Sequence, residues 1–283
     1  MRTHKTLRPT AGALAVAGGL AAGIGVTADT PTRAAIRCPM ISARLGLHWP
    51  YSSMPENSAA AIDAAHKAGA RKVEVDVNYS RDGVPMAIHG SRVDRVTAHT
   101  GRVNAYPAAK LKTFRLRVKG VYGSTWMSSQ HLLSLYDALY RAQADGMRVS
   151  VEIKPRRLTA TQAHAVALRF GWLNDWTMID VRSYYRPVLA AMRRADRRIR
   201  TTLTVHRPVI PGPAGSVMES INYKRHGAAI KPSAVRALHA SGFQVDAYTP
   251  DTSAEFATVP FTVDQITTNN VKGARAFLKA HGC

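Results

Sequence analysis

The chain has 283 residues, with 39 Lys and Arg against 18 Asp and Glu, 46% hydrophobic positions and 7% aromatic ones. That length and apolar content suit one large domain or two small ones with a real core, and exclude disordered, collagen-like and disulfide-scaffold readings. The formal charge of +21 predicts a surface that attracts polyanions and anionic membranes, and says nothing about fold.

In chain order, Arg2, Lys5 and Arg8 precede a small-apolar run from Ala11 to Val26, which closes on Thr27-Ala28 before Asp29. A basic start, a short Ala/Gly-rich stretch and small residues at its end predict a secretory leader over residues 1–28 and a secreted or extracytoplasmic protein. A membrane span wants about 20 strongly apolar residues, and no later segment offers them. Of all the charged residues only Arg2, Lys5 and Arg8 lie in this leader, so the basicity belongs to the remainder.

Past the leader, short β-type runs alternate with helix-type stretches, the pattern of a parallel sheet with crossover helices. Strands are predicted at Ile41–Leu47, Lys72–Val77, Val84–Ile88, Arg148–Ile153, Thr177–Val181, Thr201–Val205, Val245–Tyr248 and Gln265–Thr268, eight in all. Helices are predicted at Ser58–Ala68, Gln130–Ala144, Thr161–Phe170, Arg186–Ala195, Ser233–Ala240 and Lys272–Ala280, the first capped by Asn57 or Ser58. Val77 and Val84 are too close for a parallel crossover, so Arg81-Asp82-Gly83 should form a hairpin. Pairing Arg81 with Val84 across it puts His89 opposite Asp76. The stretch from Gly90 to Met147, with Lys110, Lys112, Arg115, Arg117 and Lys119, reads as an insertion over the sheet rim, centred on 90–130. The connection over 206–232 holds an apolar piece, Val217–Ile221, that competes for the sixth strand.

Glu74 and Asp76 alternate with valines in Lys72-Val-Glu-Val-Asp-Val77, so both carboxylates leave one strand face. Burying them demands arginines or a hard cation. Glu152 repeats the theme near a strand's C-terminal end, where parallel-barrel enzymes place their chemistry, and three carboxylates with few soft ligands favour Ca²⁺ or Mg²⁺ over zinc. His48 and His89 end the first and third apolar runs and can serve as proton donor and acceptor.

His48-Trp49-Pro50, Pro55-Glu56-Asn57-Ser58, Val73-Glu74-Val75-Asp76-Val77, Asp82 to His89 and Val151-Glu152-Ile153-Lys154 resemble, in order, the motifs of glycerophosphodiester phosphodiesterases. Asp94 to Thr97, Thr100 to Val103, Ala247 to Asp251 and Asp264 to Thr268 extend the likeness over nearly the whole chain after the leader. The resemblance implies an α/β fold, a distorted (β/α)₈ TIM barrel over 38–283, inserted between its third and fourth strands. It implies hydrolysis of a phosphodiester, Glu74, Asp76 and Glu152 as ligands of Ca²⁺ or Mg²⁺, and His48 and His89 as the acid/base pair. Lys154 would neutralise the phosphate, Glu56 would support the metal or cap a helix, and Tyr248 would pack on the alcohol portion or simply in the core. In such a closed barrel the first and last strands are neighbours, so Cys38 and Cys283 could form a bridge with little strain; two unpaired thiols are the alternative.

Four positions depart from the family pattern: Trp49 and Pro50 stand where the family has Arg and Gly, Gly90 follows His89 in place of Asp, and Asn269 stands where the family often has an acid. A cationic fork is lost and Trp49 becomes an aromatic wall against substrate; Arg92, Arg95 or Arg182 could restore the charge. The expected substrate is a small or lipid-derived phosphodiester, met at an anionic membrane or cell-wall surface. The alternatives are a phospholipase of the sphingomyelinase D or phosphatidylinositol type and a catalytically silent barrel that binds polyanions. Nucleic acid is not favoured, because zinc-finger spacing, stacking motifs, helix-turn-helix patterns and glycine-rich phosphate loops are all missing.

Overall fold

The computed structural model describes residues 38–48, 50–119, 124–173, 176–205, 216–222 and 230–283, with backbone alone considered at 172 and 216–222. The expected leader over 1–28 and Trp49 lie outside the described residues. In chain order the elements are β1 (Met40–Arg44), α1 (Ala59–Lys67), β2 (Lys72–Tyr79), β3 (Pro85–Ala87), α2 (Ala108–Leu111), β4 (Arg115–Lys119), β5 (Thr125–His131), α3 (Leu135–Ala144), β6 (Arg148–Ile153) and α4 (Ala160–Trp172). They continue with β7 (Ile179–Ser183), α5 (Arg186–Ala195), β8 (Arg200–Val205), β9 (Ser216–Asn222), α6 (Pro232–Ala240), β10 (Gln244–Tyr248), α7 (Ser253–Ala257), β11 (Gln265–Thr268) and α8 (Val271–Ala280).

Strand alternation decides which way each side chain points. Val73, Val75 and Val77 of β2 and Val149, Val151 and Ile153 of β6 join one buried apolar cluster with Ile62 of α1, Leu139 of α3 and Phe170 of α4. The opposite strand faces look into the sheet's enclosed side and carry polar residues. The helices start where side chains satisfy their first amides: Ser58 accepts from Ala61, Ser134 and Asp137 cap α3 reciprocally, and Thr159 and Gln162 do so for α4. Because β1 pairs in parallel with both β2 and β11, the ring β1-β2-β6-β7-β8-β9-β10-β11 closes. This is a (β/α)₈ barrel of eight parallel strands among the described residues. Cys38 and Cys283 are joined by a disulfide with Cα atoms 5.6 Å apart, linking the chain just before β1 to the third residue after α8. Among the described residues no helix is long and apolar enough to cross a membrane.

The count of eight matches the expectation with one exchange of members. The Val84–Ile88 run yields only β3, which lies antiparallel on β2 and outside the ring, while the 217–221 piece belongs to β9, inserted between β8 and β10. The hairpin register also differs: Val77 faces Ala87, Asn78 faces Met86 and Tyr79 faces Pro85. The loop holds three residues, with Gly83 at φ +76° and the Ser80 amide bonded to the Val84 carbonyl, so the pairing slips by one and Ile88 takes the place opposite Asp76. The predicted helix over Gln130–Ala144 is shorter, because Gln130 and His131 end β5 and α3 begins at Leu135. Between β3 and α3, α2 and the β4–β5 hairpin carry their own small core, built on Phe114, Leu111, Leu116, Met86 and Ile88.

Candidate active site

The enclosed faces of β2, β6, β7 and β10 build charged layers from one barrel end to the other. In the middle layer Arg182 donates to Glu74 Oε2 and to Asp246 Oδ2, each at 2.7 Å, and Thr267 Oγ1 lies 2.9 Å from Asp246 Oδ1. Arg182 is wholly buried in these contacts, so it is a structural counter-ion and does not replace the missing rim cation. Arg92 is engaged with Asp94 at the exposed surface, which leaves Arg95 as the one of the three candidates lining the cavity described below.

Toward the C-terminal strand ends, Glu74, Asp76 and Glu152 are buried together, and each offers an oxygen within 4.8 Å of the others'. Lys154 Nζ lies 3.0 Å from Asp76 Oδ2 and 2.8 Å from Glu152 Oε1. Glu74 Oε1, Asp76 Oδ1 and Glu152 Oε2 are buried without a hydrogen-bond partner among the described residues. Burial and the neighbouring carboxylates outweigh the cations and hold Glu74 above, and Asp76 well above, the usual carboxylate range. All-oxygen donors, unsatisfied lone pairs and oxygens no farther apart than two ligands across a hard cation, about 5 Å, fit a divalent ion. The buried acidic triad could therefore hold a metal.

Arg44 and His89 connect this cluster to a cavity of about 490 Å³ lined by Arg44, His48, Glu56, His89, Arg95 and Asn269 among others. Arg44 Nε lies 3.8 Å from Glu74 Oε1, and His89 Nδ1 lies 3.7 Å from Asp76 Oδ2. His89 reaches Asp76 although the ladder stops at Ala87, because Asn78 Nδ2 donates to the carbonyls of Ile88 and Gly90 at 3.1 and 3.0 Å and pins the bend. Burial and then the charges of Lys154 and Arg44 push His89 down to about 2, so its ring is neutral at ordinary pH.

His48 sits beyond the strand end. The apolar run to Leu47 stops as a strand at Arg44, since Leu45 and Gly46 take φ of 56° and 76° and turn the chain. A chain of hydrogen bonds positions the imidazole: Asn269 Nδ2 donates to Asp251 Oδ2 at 2.8 Å, and Asn269 Oδ1 lies 3.0 Å from His48 Nε2. A carboxylate can only accept, so the Asn269 amide faces Asp251 with its nitrogen, and His48 Nε2 is the donor to its oxygen. Glu56 forms an ion pair with Arg95 and lies 3.9 Å from His89 Nδ1, apart from the three-carboxylate cluster; Ser58 alone caps α1, while Asn57 Oδ1 accepts from the Asp76 amide. The Tyr248 hydroxyl accepts from Arg44 Nε at 3.2 Å, in the barrel mouth. Sequence reasoning missed Arg44, whose place two residues after the inward Ser42 was the available signal, and gave no role to Asp251.

The sequence model of the glycerophosphoryl diester phosphodiesterase family matches residues 51–272, starting just past His48 and Trp49. The chain is similar to glycerophosphodiester phosphodiesterase 1 of Homo sapiens, 29% identical over 173 residues, an alignment covering 61% of this chain. It spans about half the length of that curated relative. Among solved structures it resembles a phosphodiesterase of Oleispira antarctica in complex with the product sn-glycerol-3-phosphate, with TM-score 0.68, 18% identity, and coverage of 86% of this chain and 97% of that one. A glycerophosphodiester phosphodiesterase of Agrobacterium tumefaciens superposes with TM-score 0.69 at 22% identity, over 84% of this chain and 99% of that one. With the family match running through the carboxylate triad and most of the barrel, the chain belongs to the glycerophosphoryl diester phosphodiesterase family.

Proposed function

We propose that the protein hydrolyses glycerophosphodiesters to sn-glycerol 3-phosphate and an alcohol, with Ca²⁺ or Mg²⁺ held by Glu74, Asp76 and Glu152. The observation that carries this reading is the cluster of buried carboxylate oxygens without partners, adjoining a cavity that both His48 and His89 line. A bound divalent ion would polarise the phosphodiester and offset the charge that builds on it. Arg44, Lys154 and Arg95 add cationic groups where the family's arginine is missing. His89, half-buried 3.7 Å from Asp76 Oδ2, takes a proton from the attacking water as the new P–O bond forms. His48, oriented by the Asp251–Asn269 pair and entering as the imidazolium, gives a proton to the alcohol oxygen as the old P–O bond breaks, and exchange with solvent resets both rings. Release of glycerol 3-phosphate from glycerophosphocholine with Ca²⁺ or Mg²⁺, abolished by EDTA, is the expected result. His48→Ala and His89→Ala should each cost about 10²–10⁴-fold in kcat. Wild-type turnover in both variants would overturn the role assignment.

Export of the chain after removal of residues 1–28 is part of the same proposal. The Cys38–Cys283 disulfide supports it, since such bonds persist in oxidising compartments. N-terminal sequencing of the secreted protein should begin near Asp29, and an intracellular chain that keeps Met1 to Ala28 would refute it.

A further inference from the structure

Lys154 touches the carboxylate cluster and also lines a second cavity of about 750 Å³, which shares no residue with the cavity lined by the two histidines. The pinned bend borders both, with His89 lining the first and Ser91 the second. The charged lining of the second cavity has one sign: Arg81, Arg102, Arg156 and Lys154, with no Asp or Glu. Arg81, Arg102 and Arg156 are exposed, and none of the three is in an ion pair among the described residues. Asp82, next to Arg81 in sequence, feels its charge but lies outside the cavity lining, where its carboxylate accepts from the Ser80 hydroxyl and the Ala108 amide. Arg156 lies over the Tyr185 ring, 5.6 Å from its centroid, which holds its guanidinium at the cavity wall.

Lys154 is paired with Asp76 and Glu152, but the three exposed arginines line a concave site that holds no acid; they repel one another, and an anion seated among them relieves that repulsion. A single phosphodiester would already be served by Arg44, Lys154 and an ion held by Glu74, Asp76 and Glu152. We propose, on the basis of the phosphodiesterase reading, that this cavity is a second phosphate subsite, and that preferred substrates carry another phosphodiester in the alcohol portion beyond the scissile bond. Lys154, which lines this cavity and also touches the carboxylate cluster, marks where the substrate passes from one site to the other.

The test compares bis(glycerophospho)glycerol, which carries two phosphodiesters, with glycerophosphoglycerol, which carries one. An exposed ion pair is worth a few-fold, so three arginines predict a kcat/KM preference of roughly tenfold or more for the longer substrate. The preference should fall toward unity in the Arg81→Gln/Arg102→Gln/Arg156→Gln variant and at high ionic strength, where exposed charges are screened. Equal kcat/KM in the wild type, or a preference that survives the triple substitution, would overturn the proposal. If neither compound is hydrolysed the phosphodiesterase reading fails, and calorimetric binding of bis(glycerophospho)glycerol in EDTA still reads the subsite. Binding weakened about tenfold in the triple variant supports it; equal binding, or none to the wild type, refutes it.

Discussion

Two sets of buried carboxylates share the interior of one barrel and are treated in opposite ways. Near the N-terminal strand ends, Asp180 is satisfied on both oxygens: Lys72 pairs with Oδ1, and Ser150 and Thr202 donate to Oδ2 at 2.8 and 2.9 Å. Burial alone would push Asp180 up, but Lys72, Arg182 and those hydrogen bonds hold it below the usual carboxylate range. Only two residues further along β2, Glu74 and then Asp76 meet Glu152 with oxygens left unpartnered, and both are pushed up. The same strand thus carries Lys72 into a closed ion pair and Asp76 into an open one. What separates structure from site is the satisfaction of the carboxylates, since burial is nearly complete in both places.

The largest break in that comparison comes from Asp76→Asn. Turnover should drop on the order of 10³-fold, roughly 4 kcal/mol of barrier. Melting measured in EDTA should show a Tm equal to or above the parent's, because the variant removes a carboxylate that like charges already disfavour. Lys72→Met should do the reverse: it strands Asp180 as a buried unpaired charge and costs about 3–5 kcal/mol in urea unfolding. Because Lys72 lies at the opposite end of the strand from the triad, kcat of the folded fraction should stay close to the parent's.

This division was half legible from the residues. Strand period alone placed Glu74 and Asp76 on one face, the barrel-end rule singled out Glu152, and Lys154 came from the family resemblance. The partners that distinguish the two layers come from far away in the chain: Arg182 is 108 residues from Glu74 and 64 from Asp246, and single-strand patterning cannot register strands that meet only across the closed barrel. β9 was seen only as a competing piece, Val217–Ile221, for another reason: Ser216, Glu219, Ser220 and Asn222 interrupt its apolar pattern. Arg44 was hidden because apolar Leu45 and Leu47 prolong the run that two positive-φ residues end in space.

The pH dependence of stability sharpens the contrast through its sign. For Asp180 the folded pKa lies below the unfolded one, so its contribution is fully present above the unfolded value. As pH falls through that window the unfolded chain binds its proton first, and stability is lost. For Glu74 and Asp76 the folded pKa lies above the unfolded one, so as pH rises the unfolded chain releases its proton first, and stability falls in that direction. Urea titrations in EDTA at stepped pH should therefore show Asp180→Asn flattening the acid-side loss and Asp76→Asn flattening the decline toward neutral pH. Identical profiles for the two variants would mean that the layers do not differ in the way their partners imply.

The smallest expected effect isolates one hydrogen bond. Thr202→Val keeps the side-chain shape and removes the donor to Asp180 Oδ2, while Ser150 continues to serve that oxygen and Lys72 the other. A hydrogen bond to a charged acceptor is worth about 1.5–3 kcal/mol, and the remaining donor keeps the loss near the lower end of that range. The closed layer tolerates such a subtraction because its carboxylate stays paired. If Thr202→Val instead costs as much as Lys72→Met, the hydroxyls hold Asp180 as firmly as the ammonium does, and the closed layer depends on a complete network more than on its ion pair.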